Sequence, residues 1–442
     1  MKLSLRARQL TRRALLGYSA RAAIAYPALN FAFSLVSCGG GSPPPSPPPS
    51  VSDDEFLDQI ENAIFQFFWE QASPTTGQVK DRALAAGNDS RTVSSIAATG
   101  FGLTALCIAH KRGCGNPAQL KARVAATLDF LLNRMTNQNG FFYHFIDMNT
   151  GARVRNSEVS SIDTSILLCG VLTCRQYFQD AQIQSQATQI YNRVNWPWML
   201  NGGATISMGW TPENGFTPSR WGTYSELMMI YLLAIGSTTH PIPASSWDAF
   251  ARPTLAYQGL TYITNPNAPL FIHQYSHAWF DFRNKHDKYA NYFDNSVKAT
   301  QAHKLFCLSL QSQFPNYQSN LWGITASDSV NGYVVWGGPP RMGPIDGSIV
   351  PCAAGGSIPF VPADCLALLR NIRARYPRAW QRYGFVDAFN PLTGWYDPDV
   401  IGIDVGITML MAENQRGNFV WNTFMANPEA QNAFRAIQLL AS

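Results

Sequence analysis

Helical apolar periodicity recurs from about residue 53 to the end of this chain, and in two places, 166–172 and 227–235, the apolar residues run all the way round. A helix apolar on every side has to be covered on every side. Amphipathic patterns alternate with these runs, and the spacing predicts helices near 94–112, 118–136, 158–179, 182–194, 221–236, 246–260, 294–313, 362–375, 401–414 and 428–441. The first is stopped at Gly113. Long loops rich in Gly and aromatic residues separate them at 137–157, 201–220 and 322–360. Fully buried helices alternating with one-sided ones fit an all-α double ring, inner helices inside outer ones, with the loops covering one mouth. A superhelical array would show a fixed repeat length, which this sequence lacks. With 442 residues, 46% hydrophobic and 14% charged, the chain can bury a large core.

The N-terminal end differs in kind. Residues 1–38 read as an export signal: Thr11-Arg12-Arg13-Ala14-Leu15-Leu16 resembles a twin-arginine pattern, and Leu35-Val36-Ser37-Cys38 resembles a lipobox with Cys38 as the lipidated residue. Residues 39–52 form a Gly/Pro/Ser-rich tether. The globular domain is expected over 53–442, where Ser52-Asp53-Asp54-Glu55 has capping-box form. The expected location is the periplasmic side of a bacterial envelope, lipid-anchored, with the protein acting as a monomer. The formal charge of +5 comes from this leader. Removing its six basic residues from the 33 Lys and Arg leaves 27 against 28 acidic side chains, no basis for nucleic-acid binding. Seven cysteines besides Cys38 are an odd set for a disulfide framework, so buried thiols are expected, although Cys352 and Cys365 could pair.

Residues 271–296 (FIHQYSHAWFDFRNKHDKYANYFDNS) interleave eight aromatic rings with His273, His277, His286, Asp281, Arg283 and Asp287. Rings beside fork-shaped donors and carboxylates suit a sugar, which has apolar faces and a hydroxylated rim. The plainer alternative is an aromatic packing segment with satisfied histidines. The four-residue spacing of His273 and His277 could chelate a metal on a helix. No acidic neighbour in zinc-protease arrangement and no cysteine pair supports that, so no metal and no cofactor is expected.

Glycoside hydrolysis commonly uses two carboxyl groups astride the scissile bond. Glu226 opens the apolar run 227–235, where apolar surroundings favour a protonated carboxyl and hence a general acid. A helix-start carboxylate stabilised by the macrodipole is the bland reading. Glu158 and Asp163 stand before or inside the run at 166–172. Five helical residues turn about 140°, so both reach one cleft only if the helix starts between them. Asp404 and Glu413 are about 180° apart on one helix, so at most one enters a shared cleft; Asp404 is the better placed.

The segments 158–168 (EVSSIDTSILL), 224–236 (YSELMMIYLLAIG), 274–283 (QYSHAWFDFR), 322–328 (WGITASD), 353–362 (AAGGSIPFVP), 383–390 (YGFVDAFN) and 402–414 (GIDVGITMLMAEN) together resemble the bacterial glucoamylase-like family. That family includes endo-β-1,2-glucanases, and similar domains occur in cyclic β-1,2-glucan synthases. The resemblance implies an (α/α)6 toroid and inverting, metal-independent hydrolysis of β-glucan, with β-1,2 the leading linkage and a glucan polysaccharide or oligosaccharide as partner. It implies Glu226 and Glu158 as cleft carboxylates, Glu226 being the acid, with Glu158, Asp163 and Asp404 all open as the base. It also implies His277, Trp279, Asp281, Arg283, Trp322 and Tyr333 as glucan-binding residues, and Glu413 is carried as a further binding candidate. Two other classes compete: a polysaccharide lyase using His277, Tyr275 and Arg283, and a non-catalytic glucan-binding lipoprotein.

Overall fold

The first helix, α1 (Asp53–Glu70), opens on a reciprocal cap: Ser52 Oγ accepts the Glu55 N–H at 3.2 Å, and Glu55 Oε2 accepts the Ser52 N–H at 2.8 Å. Two otherwise orphaned donors are satisfied at once. The computed structural model describes residues 51–441. The export signal, Cys38 and residues 39–50 of the tether lie outside the described residues.

The chain continues through α2 (Ile96–Arg112), α3 (Pro117–Asn133), α4 (Ser161–Tyr177), α5 (Ala181–Asn192), α6 (Trp196–Leu200) and α7 (Met228–Gly236). It then forms α8 (Tyr292–Ser309), α9 (Pro351–Gly355), α10 (Pro362–Arg375), α11 (Gly402–Gly417), α12 (Phe419–Met425) and α13 (Pro428–Ala436). Every residue of α7 is buried, and α2, α4 and α11 are buried nearly all round. By contrast α1, α3, α5 and α10 bury one stripe each. The buried helices pack side by side: α11 on α2, α2 on α4, α4 on α7, and α9 with the 3-10 turn Tyr275–Ala278 on α11. One-sided helices lie against them, α1 on α2 and α11, α5 on α4, α13 on α7.

Glycine brings α2 and α4 into backbone contact. A Cβ on Gly170 would stand 2.2 Å from the Gly100 carbonyl oxygen, and one on Gly100 would stand 2.4 Å from the Ile166 carbonyl oxygen. No side chain fits there.

Three helix expectations are corrected. Residues 246–260 form a 3-10 turn, Ala244–Asp248, and a hairpin, Thr254–Tyr257 with Leu260–Ile263. Its two turn residues, Gln258 and Gly259, both have positive φ (45° and 84°), the twist a two-residue hairpin favours. The helix expected at 221–236 begins only at Met228, which leaves Glu226 in the turn before it. That expected at 428–441 ends at Ala436, and Leu440–Ala441 pairs with Lys285–His286.

Short strand pairs stitch the loops. Arg82–Leu84 runs antiparallel to Asp399–Ile401, joining the segment after α1 to the start of α11. All seven described cysteines are free thiols, Cys352 and Cys365 included. Among the described residues no helix is long and apolar enough to cross a membrane.

Candidate active site

The N-terminal ends of the buried helices open onto one cleft of about 640 Å³. Ser95 and Ala97 reach it from α2, Ile162, Asp163 and Ile166 from α4, Glu226 from the turn before α7, and Ile401 and Ile403 from the start of α11. Each helix start offers unsatisfied N–H groups and the positive end of its dipole, so the mouth favours carboxylates and polar oxygens.

Glu226 is 6% exposed and on the cleft wall. Its backbone carbonyl accepts the Ser276 hydroxyl at 2.8 Å, and the same oxygen of Ser276 accepts the Met229 N–H at 3.0 Å. The start of α7 is thus pinned by the neighbouring 3-10 turn, and Glu226 with it.

Glu158 and Asp163 both reach the cleft. The geometric condition is met because α4 starts between them, at Ser161, with Glu158 left on the preceding extended segment. Ser160 caps the helix, its Oγ accepting the Asp163 N–H at 3.1 Å and donating to the Asp163 carboxylate. His144 bridges the two acids, Nδ1 lying 3.4 Å from Glu158 Oε1 and Nε2 3.7 Å from Asp163 Oδ1.

Another acidic group, which the sequence reading did not single out, lines the cleft: Asp81, Asp328, Asp397 and Asp399. Arg82 Nε donates to Asp81 Oδ2 at 3.0 Å, and its Nη1 bonds Asp328. Burial works to raise the Asp81 carboxyl, yet the adjacent Arg82 holds it below its ordinary value. At Asp397 burial and the charge of Asp328 outweigh the Asp399 N–H and Arg82, and the carboxyl is pushed up to about 7. Asp399 is gripped by Arg91 through two bonds of 2.7 Å. Asp328 and Asp399 sit on short strands and Asp81 and Asp397 between elements, and the sequence signals were slight: Asp397-Pro398-Asp399, and Asp328 at the end of the WGITASD segment.

Asp404 is buried one layer behind the wall, its Oδ1 accepting the hydroxyl of cleft-lining Tyr275 at 3.4 Å. Tyr333, on the hairpin Ala326–Ser329/Gly332–Val335, lines the cleft directly.

The remaining expected binding residues lie elsewhere, and packing explains why. Trp279 is fully buried against Phe101, ring centroids 4.9 Å apart, and donates Nε1–H to Thr104 Oγ1 at 3.1 Å. His277 bonds Ser296 Oγ at 3.0 Å, and burial lowers its pKa to about 3. Trp322 is also fully buried. Asp281 and Arg283 pair at 2.8 Å, with the guanidinium 4.0 Å from the Trp421 ring centroid and bonded to Asn418. Glu413 is clamped by Lys111 (2.9 Å) and Arg112 (2.7 Å), half a turn away from Asp404 as the helix geometry requires. From 271–282 only Phe271 and Tyr275 line the cleft; the others are buried, apart from the half-buried Asp281.

Two groups have the spacing for a cation, His144/Glu158/Asp163 and Asp328/Asp387/Asp397, with candidate atoms within 4.8 Å of one another. In the first, the imidazole already lies between the two carboxylates. In the second, Arg82 already supplies positive charge to Asp328.

Residues 218–428 match the family model Glycoamylase, described as a glucoamylase. The chain is 28% identical over 427 residues to the exo-β-1,2-glucooligosaccharide sophorohydrolase (non-reducing end) of Parabacteroides distasonis, covering 88% of this chain and 58% of that one. It therefore spans under two thirds of that relative's length. The solved endo-β-1,2-glucanase of Chitinophaga pinensis, in complex with sophorotriose and glucose, superposes with a TM-score of 0.80 at 27% identity, over 88% of this chain and 98% of that one. A β-1,2-glucanase structure from Parabacteroides distasonis gives 0.82 at 26% identity, over 88% and 60%. Over most of its length this chain is therefore similar to proteins described as glucoamylases and β-1,2-glucanases, as its sequence segments indicated.

Proposed function

We propose that this protein hydrolyses β-1,2-glucan with inversion, Glu226 protonating the leaving glycosidic oxygen. The observation that carries this reading is Glu226 on the wall of a cleft shared with Glu158 and Asp163, in a chain whose solved relatives act on β-1,2-glucans. An inverting pair needs a carboxylate to activate water across a gap. Glu158 and Asp163 touch the cleft, whereas Asp404 is one hydrogen bond removed and would work through Tyr275 or a water. The alternation of buried and one-sided helices supports an (α/α)6 toroid with this cleft at the mouth that the long loops frame. We further assign the protein to the periplasm, held by a lipid on Cys38, on the strength of the leader sequence.

The test is to incubate purified protein with linear β-1,2-glucan, laminarin, starch and cellulose and to size the products. β-1,2-Glucan is cut and the others are not. In Glu226→Gln, turnover falls about 10²–10⁴-fold while oligosaccharide still binds. Undiminished turnover in that variant removes Glu226 as the acid.

A further inference from the structure

Three acidic side chains meet at the acidic side of the cleft, each from its own segment. Asp328 is on the strand Ala326–Ser329, Asp387 stands between Gly384–Phe385 and Phe389–Asn390, and Asp397 stands between Trp395–Tyr396 and Asp399–Ile401. One candidate ligand oxygen from each lies within 4.8 Å of the other two. No sequence spacing announces the group, since Asp328 and Asp387 are 59 residues apart. All three are buried, at 8%, 4% and 5% exposure.

Neighbouring donors fix how these carboxylates point. Asp387 Oδ2 accepts the Ser327 hydroxyl at 2.7 Å and the Asp328 N–H at 2.9 Å. Asp397 Oδ1 accepts the Asp399 N–H at 2.9 Å. Each carboxylate thus has one oxygen engaged. The other, Asp387 Oδ1 and Asp397 Oδ2, is sealed from solvent and receives no hydrogen bond. Charge is unbalanced as well. Arg82 makes its ion pairs with Asp81 and Asp328, so one guanidinium faces four carboxylates. Burial, joined by the charges of Asp404, Asp397 and Asp328, pushes the Asp387 carboxyl far above its ordinary value. Sealed carboxylate oxygens without donors are costly, and a cation in their midst removes that cost.

We propose that Asp328, Asp387 and Asp397 form a site for one hard divalent cation, calcium being the best fit, which ties their three segments together beside the cleft. Calcium holds its oxygens at about 2.3–2.6 Å, so two ligands on opposite sides of it stand about 5 Å apart. The 4.8 Å limit of this group falls within that span. The donors are all oxygen, with no imidazole or thiol, which selects calcium, magnesium or manganese over zinc or copper. Magnesium gives up its water reluctantly, whereas two of these oxygens are sealed from solvent, and that favours calcium. The bonds from Ser327, the Asp328 N–H and the Asp399 N–H are the outer contacts that aim ligating carboxylates. Asp328 and Asp397 line the cleft, so water from it completes a shell of six or more oxygens. The ion holds the acidic side of the cleft in shape and enters no step of the proposed hydrolysis.

The test titrates chelator-treated, dialysed protein with calcium, magnesium or manganese chloride and follows heat, metal content and Tm. Calcium binds at one ion per chain, and at about 100 times Kd it raises Tm by about 3 °C. Asp397→Asn and Asp387→Asn each weaken calcium binding at least about 10-fold and remove the Tm rise at the same calcium concentration. Asp294→Asn, exposed in the first turn of α8, keeps both. A wild-type protein that binds none of the three ions overturns the site. So does calcium binding undiminished in Asp397→Asn, which places the ion elsewhere. Binding of magnesium or manganese in place of calcium supports the site and overturns the choice of ion. If Asp387→Asn does not fold, Asp397→Asn and the wild-type stoichiometry decide. Calcium binding is read without a glucan, so a protein that binds the ion yet is inert on every glucan defeats the hydrolase reading and leaves the site standing.

Discussion

Tyr333 and Trp279 were expected to do the same work, and the structure separates them. Tyr333 sits on a hairpin at the cleft, while Trp279 is sealed under Phe101. Tyr333→Ala should raise KM for glucan up to about 10-fold with little change in Tm. Trp279→Ala should cost about 3–5 kcal/mol in denaturant unfolding, with KM unchanged in the fraction that stays folded. The carboxylates were easier to read than the rings. Glu226, Glu158 and Asp163 each stand at the start of an apolar run, and helix starts are where this fold converges on its cleft. A ring gives no such cue, because an indole in the core and an indole under a sugar use the same apolar area. Asp328, Asp397 and Asp399 were not legible because short strands and turns from distant parts of the chain bring them together.

Among elements, the α2–α4 contact depends on the absence of a side chain, and Gly170 makes it possible. Alanine is the better helix former by about 1 kcal/mol, but here its methyl would lie 2.2 Å from the Gly100 carbonyl oxygen. The clash decides the sign: Gly170→Ala should lower stability by about 1–3 kcal/mol, read as a fall in Tm. The buried helices were predictable because a run apolar on every side has few alternatives to burial. α2 does stop at Gly113, which adopts φ 74°. The failure at 246–260 has a local cause. Pro253 and the Gln258-Gly259 turn impose a hairpin on a stretch whose apolar spacing reads as helical.

Across the whole molecule, buried titratable groups pull stability in opposite directions. Burial lowers His273 and His277 to about 3 and His303 to about 4. Their contribution is present above the unfolded value of 6.5 and is lost as pH falls through the folded ones. Burial, with Glu413 nearby, raises Glu61 to about 8, and Asp397 stands near 7, so their contribution is lost as pH rises. Tm should peak between these ranges, and His303→Gln should flatten the acid side of a Tm-against-pH curve. An unchanged acid side would mean that another group sets it. The pairing of Arg82–Leu84 with Asp399–Ile401 has a further consequence for biosynthesis. A ribosome extends this chain for on the order of tens of seconds between those two strands. Throughout that interval the nascent protein carries an unfinished mouth, with Arg82 awaiting both Asp328 and its strand partner. The cleft is therefore completed late, and a product terminated before residue 399 would lack the Asp399–Ile401 strand and the Arg91–Asp399 pair however well its earlier helices had collapsed.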